Sequence, residues 1–248
     1  MSGQHEVTVV DTDRLRITST PGDTDVAVVA FSGVGMAIDQ LPREEFVTTL
    51  KGATHGQMFV IDKARSWYNA TAADIVAILK PLLAPYRKVV TLGNSMGGFG
   101  AVYFAPRLPN VRTAIAFSPQ FSVQAAIVPA EKRWGEYRSA ITSWTVRHAM
   151  EDARDDAELL LFFGTEERRD DPHRELFRDY ATCRTAIFDI PEARHGTARH
   201  LKRAGLLGHL LDSIIVDEAG AVGVAALLAG QGVPHGLWRP RAAGGGEI

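Results

Sequence analysis

The sequence contains a single cysteine, Cys183, in 248 residues, so no internal disulfide can form, and a reducing compartment is compatible with that. It has no long apolar run. Its longest stretches, such as those at 27–31 and 159–163, are strand-sized and far short of the roughly 20 residues a membrane-spanning helix needs. The first residues carry neither a basic segment nor the apolar stretch of a secretory leader. Charge of one sign is also lacking: 27 Lys and Arg face 29 Asp and Glu, a net −2 with histidine neutral. No global field therefore favours nucleic acid or an anionic membrane as partner. Hydrophobic residues make up 46% and charged residues 23%, which excludes a disordered, fibrous or disulfide-scaffold chain. A cytoplasmic protein is the expectation, and the length suits one large α/β domain.

Short β-branched runs alternate with longer amphipathic stretches. Strands are expected at 6–10, 14–19, 25–32, 57–61, 88–92, 113–117, 158–163 and 185–190, and helices at 43–50, 71–83, 95–108, 174–182 and 198–216. Runs such as 26–31 and 159–163 are apolar almost throughout, which suits strands buried on both faces of a largely parallel sheet. The spacer between the first two strands is turn-sized, so they should pair as an antiparallel edge. Thr71-Ala72-Ala73-Asp74 reads as a capping box with Asp for the usual Glu. Residues 118–151 break the rhythm and read as a small helical excursion over the sheet, with Trp134, Tyr137 and Trp144 among Arg133, Arg138 and Arg147. The chain from Ala219 onward is Gly/Ala-rich, and 240–248 is expected to be a flexible tail. Cys183, between a helix and a strand, is expected to be a small buried hydrophobe.

The informative stretch is Gly93-Asn94-Ser95-Met96-Gly97, a Gly-x-Ser-x-Gly placed directly after a buried strand and directly before a helix. A sharp strand-to-helix turn strains the central residue and lifts its side chain above the sheet, and glycines on either side leave room for the turn. The serine then sits at a helix N-terminus, whose dipole and free N–H groups favour a developing oxyanion. A phosphate-binding loop would need Gly-Lys-Ser/Thr, and no dinucleotide fingerprint opens the first βα unit.

On this motif and the strand–helix order, the chain resembles the α/β-hydrolase superfamily over nearly its whole length. More narrowly, it is similar to bacterial hydrolases that carry stretches like Ser66-Trp67-Tyr68-Asn69 and Glu131-Lys132-Arg133-Trp134. The resemblance implies a mostly parallel sheet flanked by helices, residues 118–151 as a cap, and a nucleophile, acid and histidine in that chain order. Ser95 is the nucleophile it implies. The acid should lie in the loop after the 158–163 strand, where Asp170 is preferred, with Asp171 close behind and Glu166 and Glu167 as further candidates. The histidine should follow the last strand, where His195 is preferred over His200 because it falls in a loop. Met96 N–H should supply one oxyanion donor. Gly33 or Val34, in the loop after the 25–32 strand, should supply the other, and Gly33 is preferred. Val34, Trp67, Tyr68 and Trp134 are the expected substrate-binding residues. His173 stands close enough to the acid to act behind it. No metal-ligand spacing occurs, and no cofactor is implied.

The activity implied is hydrolysis of a small-molecule carboxylic ester or thioester. The same residues could pass the acyl group to an alcohol, sugar or amine, as an acyltransferase does. A catalytically silent binding protein on the same fold is the reading from another class.

Overall fold

The computed structural model describes residues 5–35 and 43–240. Among these, nine strands form one sheet: β1 (Val7–Asp11), β2 (Leu15–Thr20), β3 (Val26–Phe31), β4 (Gly56–Asp62), β5 (Lys88–Asn94), β6 (Val111–Phe117), β7 (Glu158–Gly164), β8 (Thr185–Ile190) and β9 (Gly236–Trp238). Their order is β1-β2-β4-β3-β5-β6-β7-β8-β9. β1 pairs with β2, β2 with β4 and β8 with β9 antiparallel, and every other pair is parallel. The helices are α1 (Val47–Leu50), α2 (Ala72–Leu83), α3 (Met96–Phe104), α4 (Gly135–Ser139), α5 (Asp171–Asp179), α6 (Thr197–Arg203), α7 (Leu207–Ile215) and α8 (Ala221–Gly230).

The two-residue period of a strand explains why the central runs are apolar throughout. Leu159, Leu161 and Phe163 of β7 enter the core layer that holds Ile75, Leu79 and Leu83 of α2. Leu160 and Phe162 face the opposite layer with Leu207, Leu210, Leu211 and Ile214 of α7. With helices on both sides, no strand face can be polar. Each fully buried Leu, Ile or Phe is worth about 1.5–3 kcal/mol in this setting. Lys88, at the start of β5, is buried, and its Nζ donates to the carbonyls of Ile214 and Ile215. It thereby satisfies carbonyls at the C-terminal end of α7, where a cation is also favoured by the helix dipole.

Several expectations are corrected. The helix expected over 198–216 is two helices, divided at Gly205, whose φ is +74°. Gly205 N–H donates to Lys202 O and Leu206 N–H to Leu201 O, a Schellman arrangement that ends α6 and redirects the chain. α3 stops at Phe104: Ala105 keeps helical backbone, but Pro106 has no N–H to carry the helical hydrogen bonds onward. The Gly/Ala-rich region holds α8 and β9, since Ala and Leu are strong helix formers and Ala221 N–H is tied to Glu158 Oε1 at 3.0 Å. Residues 241–248 lie outside the described residues. Thr71 makes no capping hydrogen bond. The preceding turn serves α2 instead, with Ala72 N–H donating to Tyr68 O. The excursion at 118–151 contains one five-residue helix, α4, the rest being turns and irregular backbone. Cys183 is exposed rather than buried, and its N–H and Sγ both face Asp155 Oδ1 at 3.0 Å.

Candidate active site

The turn between β5 and α3 places Ser95 at φ 58°, ψ −118°, a conformation costly for a residue with a Cβ. Two glycines make it possible. A Cβ on Gly93 would stand 2.1 Å from the Gly97 carbonyl, and one on Gly97 would stand 2.1 Å from Phe31 O. Ser95 N–H donates to Phe117 O at 2.9 Å, which fixes the turn against β6. The serine is thus held at the C-terminal edge of the parallel strands, with its Oγ above the sheet.

His195 comes from the loop after β8, and Asp170 from a single 3-10 turn, Arg168–Asp170, after β7. His195 Nε2 lies 2.9 Å from Ser95 Oγ, and its Nδ1 lies 2.8 and 3.0 Å from the two Asp170 oxygens. With Asp170 accepting from Nδ1–H, Nε2 is the bare nitrogen and accepts from the serine hydroxyl. Asp170 is almost wholly buried, at 3% exposure. Asp171 is half exposed and pairs with Arg174, Glu167 pairs with Arg169, and His200 lies within α6. The backbone explains this choice among neighbouring carboxylates: the 3-10 turn aims residue 170 inward and leaves residue 171 to open α5.

Asp170 is also bound to Arg133, from the 118–151 excursion, whose Nη2 lies 2.8 Å from Asp170 Oδ1 and 2.6 Å from Glu131 Oε2. Glu131 in turn accepts from His173 Nε2–H at 2.9 Å, and His173 Nδ1 accepts from Phe121 N–H at 3.1 Å. Burial pushes the Glu131 carboxyl up, but the His173 hydrogen bond and the Arg133 guanidinium overcome it and hold it at about 2. One guanidinium between two ionised carboxylates leaves a net single negative charge beside His195. Arg133 is committed to these carboxylates. Its Nη1 is 3.3 Å from His195 Nδ1, but with Nδ1–H given to Asp170 both nitrogens are donors, so that contact is not a hydrogen bond.

The remaining expected residues divide. Trp134 lies beside the site, its ring centre 5.8 Å from that of His195. Trp67 and Tyr68, expected to bind substrate, are wholly buried and reach no ligand directly. Trp67 Nε1–H donates to Gln120 Oε1 at 2.6 Å behind Trp134, and Tyr68 O–H donates to Ser32 O at 3.1 Å. Gly33, the preferred second oxyanion donor, is also corrected: its single N–H donates to Glu45 Oε1 at 3.1 Å. Val34 is the other candidate on that loop. Glu45 went unrecognised in the sequence, because nothing in its spacing ties it to a loop 12 residues earlier. Burial raises its carboxyl to about 7, against the opposing hydrogen bond from Gly33 and the charge of Arg199.

A cleft of about 280 Å³ is lined by Asn94 and Gly196, the chain neighbours of Ser95 and His195, together with Glu45, Phe46, Arg199 and Lys202. Among the described residues, no group of three or more His, Cys, Asp or Glu side chains could hold a metal ion, and no helix is long and apolar enough to cross a membrane.

No protein-family model matches the chain, and no curated sequence matches it significantly. Solved structures do. A mutant capsule O-acetyltransferase of Neisseria meningitidis serogroup A, in complex with CoA, is 13% identical with a TM-score of 0.57, over 84% of this chain and 96% of that one. Thermogutta terrifontis esterase 2, phosphoramylated by tabun, is 16% identical with a TM-score of 0.56, over 88% and 96% of the two chains. The Pyrococcus horikoshii acylaminoacyl peptidase is 13% identical with a TM-score of 0.61, over 91% of this chain and 43% of that one. The strand order, the β5–α3 elbow and these neighbours converge on one architecture, and the chain has the α/β-hydrolase fold.

Proposed function

We propose that the protein is a serine hydrolase that cleaves a carboxylic ester or thioester through an acyl-enzyme on Ser95. The observation that carries this reading is the unbroken hydrogen-bonded chain Ser95–His195–Asp170, with the serine on a strained elbow at a helix N-terminus. Ser95 Oγ attacks the acyl carbon as its proton passes to His195 Nε2, and Asp170 holds the imidazolium. The oxyanion is met by backbone N–H groups, Met96 among them, each worth about 3 kcal/mol of transition-state stabilisation. The tetrahedral adduct collapses, and the leaving alkoxide or thiolate takes the proton from Nε2. A water molecule then loses a proton to His195, attacks the acyl carbon, and frees the acid and Ser95.

One observation favours acyl transfer as a second reading. The cleft that Asn94, the residue before Ser95, helps to line carries Arg199 and Lys202, cations suited to an anionic acyl donor, and one structural neighbour is an O-acetyltransferase in complex with CoA. In that case an acceptor hydroxyl replaces water in the second half-reaction.

Labelling with a fluorophosphonate, followed by mass spectrometry, tests the shared first step. The expected result is one adduct, on Ser95, lost in both Ser95→Ala and His195→Ala. Folded wild-type protein that takes no label would overturn the reading in favour of a silent binding protein. With labelling established, the products of acetyl-CoA turnover with and without an added alcohol separate hydrolase from transferase.

A further inference from the structure

Three consecutive residues of the loop after β3 are each held by a side chain from elsewhere in the chain. Ser32 O accepts from Tyr68 O–H at 3.1 Å, Gly33 N–H donates to Glu45 Oε1 at 3.1 Å, and Val34 O accepts from Arg65 Nε at 2.7 Å. Ser32 N–H is additionally bound to Val60 O of β4 at 3.0 Å. The peptide that joins Gly33 to Val34 lies between these restraints. The loop also runs directly against the serine turn: Phe31 O blocks a Cβ on Gly97, and a Cβ on Gly33 would stand 3.1 Å from Asn94 O. The restrained segment is therefore the one that faces the elbow.

Two of the three restraining side chains come from a segment under strain. Arg65, Trp67 and Tyr68, none of them glycine, have φ of 51°, 49° and 64°. Such backbone costs on the order of 1 kcal/mol per residue, and it persists only where its surroundings overdetermine it. Buried Asp62 does so here, its Oδ2 accepting from Ser66 N–H, Ser66 Oγ–H and Tyr68 N–H at 2.8, 3.0 and 2.9 Å. A simple connection from β4 to α2 would need none of this. The product of the strain is that Arg65 and Tyr68 reach the β3 loop on either side of the Gly33–Val34 peptide.

We propose that Glu45, Arg65 and Tyr68 are positioning residues that aim the Val34 N–H, together with the Met96 N–H, at the oxyanion formed on Ser95. The inference rests on the hydrolase reading above and deepens it. A donor helps only when it stands about 2.7–3.1 Å from the oxyanion, and a misplacement of about 1 Å can cost roughly 100-fold in rate. Ser32-Gly33-Val34-Gly35 has two glycines, with Gly35 at φ 77°, and little intrinsic stiffness. The stiffness has to come from outside, and these three side chains supply it.

The experiment compares wild type with Glu45→Ala, Glu45→Gln and Tyr68→Phe in hydrolysis of p-nitrophenyl acetate and in inhibition by a trifluoromethyl ketone. Loss of a whole donor costs about 100- to 1000-fold in kcat. A misaimed donor in Glu45→Ala should therefore lose roughly ten- to a hundredfold, with KM within about twofold. Ketone affinity should fall by the same factor as kcat, because the ketone adduct carries the oxyanion. Glu45→Gln keeps an acceptor for Gly33 N–H and should recover most of the loss, which a purely structural role would not require. Tyr68→Phe removes one hydroxyl and decides the question if Glu45→Ala does not fold: its kcat and ketone affinity should fall together. A change confined to KM, or folded variants with wild-type kcat and ketone affinity, would overturn the inference. A wild type that neither turns over the ester nor takes a fluorophosphonate would instead sink the hydrolase reading, and this inference with it.

Discussion

At the scale of single residues, the cluster behind His195 makes the clearest energetic claim. Arg133 lies between Asp170 and Glu131 with both carboxylates nearly inaccessible. Removing one member of a buried ion pair costs about 3–5 kcal/mol, because the uncompensated charge remains buried. Arg133→Met should accordingly destabilise the protein by about that amount in urea unfolding. Glu131→Gln introduced into the same variant should recover a good part of the loss, a coupling that a double-mutant cycle measures directly. A single substitution costing under about 1 kcal/mol would mean that the pair does not hold the site together.

Glu45 makes a second claim at this scale, about pH. Its carboxyl is raised from 4.5 to about 7 by burial, opposed by the hydrogen bond from Gly33 and the charge of Arg199. Between those values the folded protein binds a proton that the unfolded chain releases, so this group's stability contribution is present below pH 4.5 and is lost as pH rises through 7. At 1.36 kcal/mol per pH unit the ceiling is about 3 kcal/mol. Part of the side chain meets solvent, which lowers the observed value. Unfolding free energies at pH 4.5 and 7.5 should therefore fall more steeply for wild type than for Glu45→Gln. Parallel pH profiles would show that Glu45 titrates normally.

The same residues mark what was legible. Ser95 could be read because its geometry is local: strand, turn, two glycines and helix all lie within a dozen positions. His195 was legible from its loop after the last long strand. Asp170 could be narrowed only to a run of carboxylates, since the orientation of a single 3-10 turn decides among them. Glu45 and Arg65 gave no signal, and Glu131 stood out only within a stretch shared with similar hydrolases, because their roles exist only through contacts that the fold creates at a distance in sequence.

At the scale of elements, the sheet was the readable part, because burial on both faces leaves apolar runs that admit little else. Eight of the strands stand within a few residues of their expected positions; β9 is too short and too rich in glycine to announce itself. Helix ends were harder to read. The division of α6 from α7 had a local signal in Ala204-Gly205-Leu206, a glycine followed by an apolar residue, as a Schellman motif prefers. The amphipathic period ran on across it and concealed the break. α8 failed to register for the opposite reason. Ala221 to Gly230 is apolar nearly all round and shows almost no periodicity, so only its docking against the sheet distinguishes it from a loose tail. The strained segment at 65–68 could not be read either, since non-glycine residues with positive φ are set by partners such as Asp62 rather than by their own preference.

At the scale of the whole molecule, stability and chemistry are drawn from different places. The candidate site is assembled at the C-terminal edge of the parallel strands from the β3 loop, the β5–α3 turn, the 118–151 excursion and the loops after β7 and β8. The helix layer containing α7 and α8 lies against the opposite core, where Val224 and Leu228 are fully buried with Leu210, Leu211 and Ile214. No side chain of α8 is among those that meet Ser95, His195, Asp170 or the residues holding them. A cavity made there should thus be felt by the fold and not by the nucleophile. Leu228→Ala removes a wholly buried side chain and should cost about 2–5 kcal/mol in chemical denaturation, the range for core leucines. At a temperature where the variant remains folded, its rate of Ser95 labelling by a fluorophosphonate should match wild type within about twofold. If labelling instead slowed in step with stability, the elbow would depend on packing throughout the sheet. The local restraints on Ser32, Gly33 and Val34 would then be insufficient to hold the site on their own.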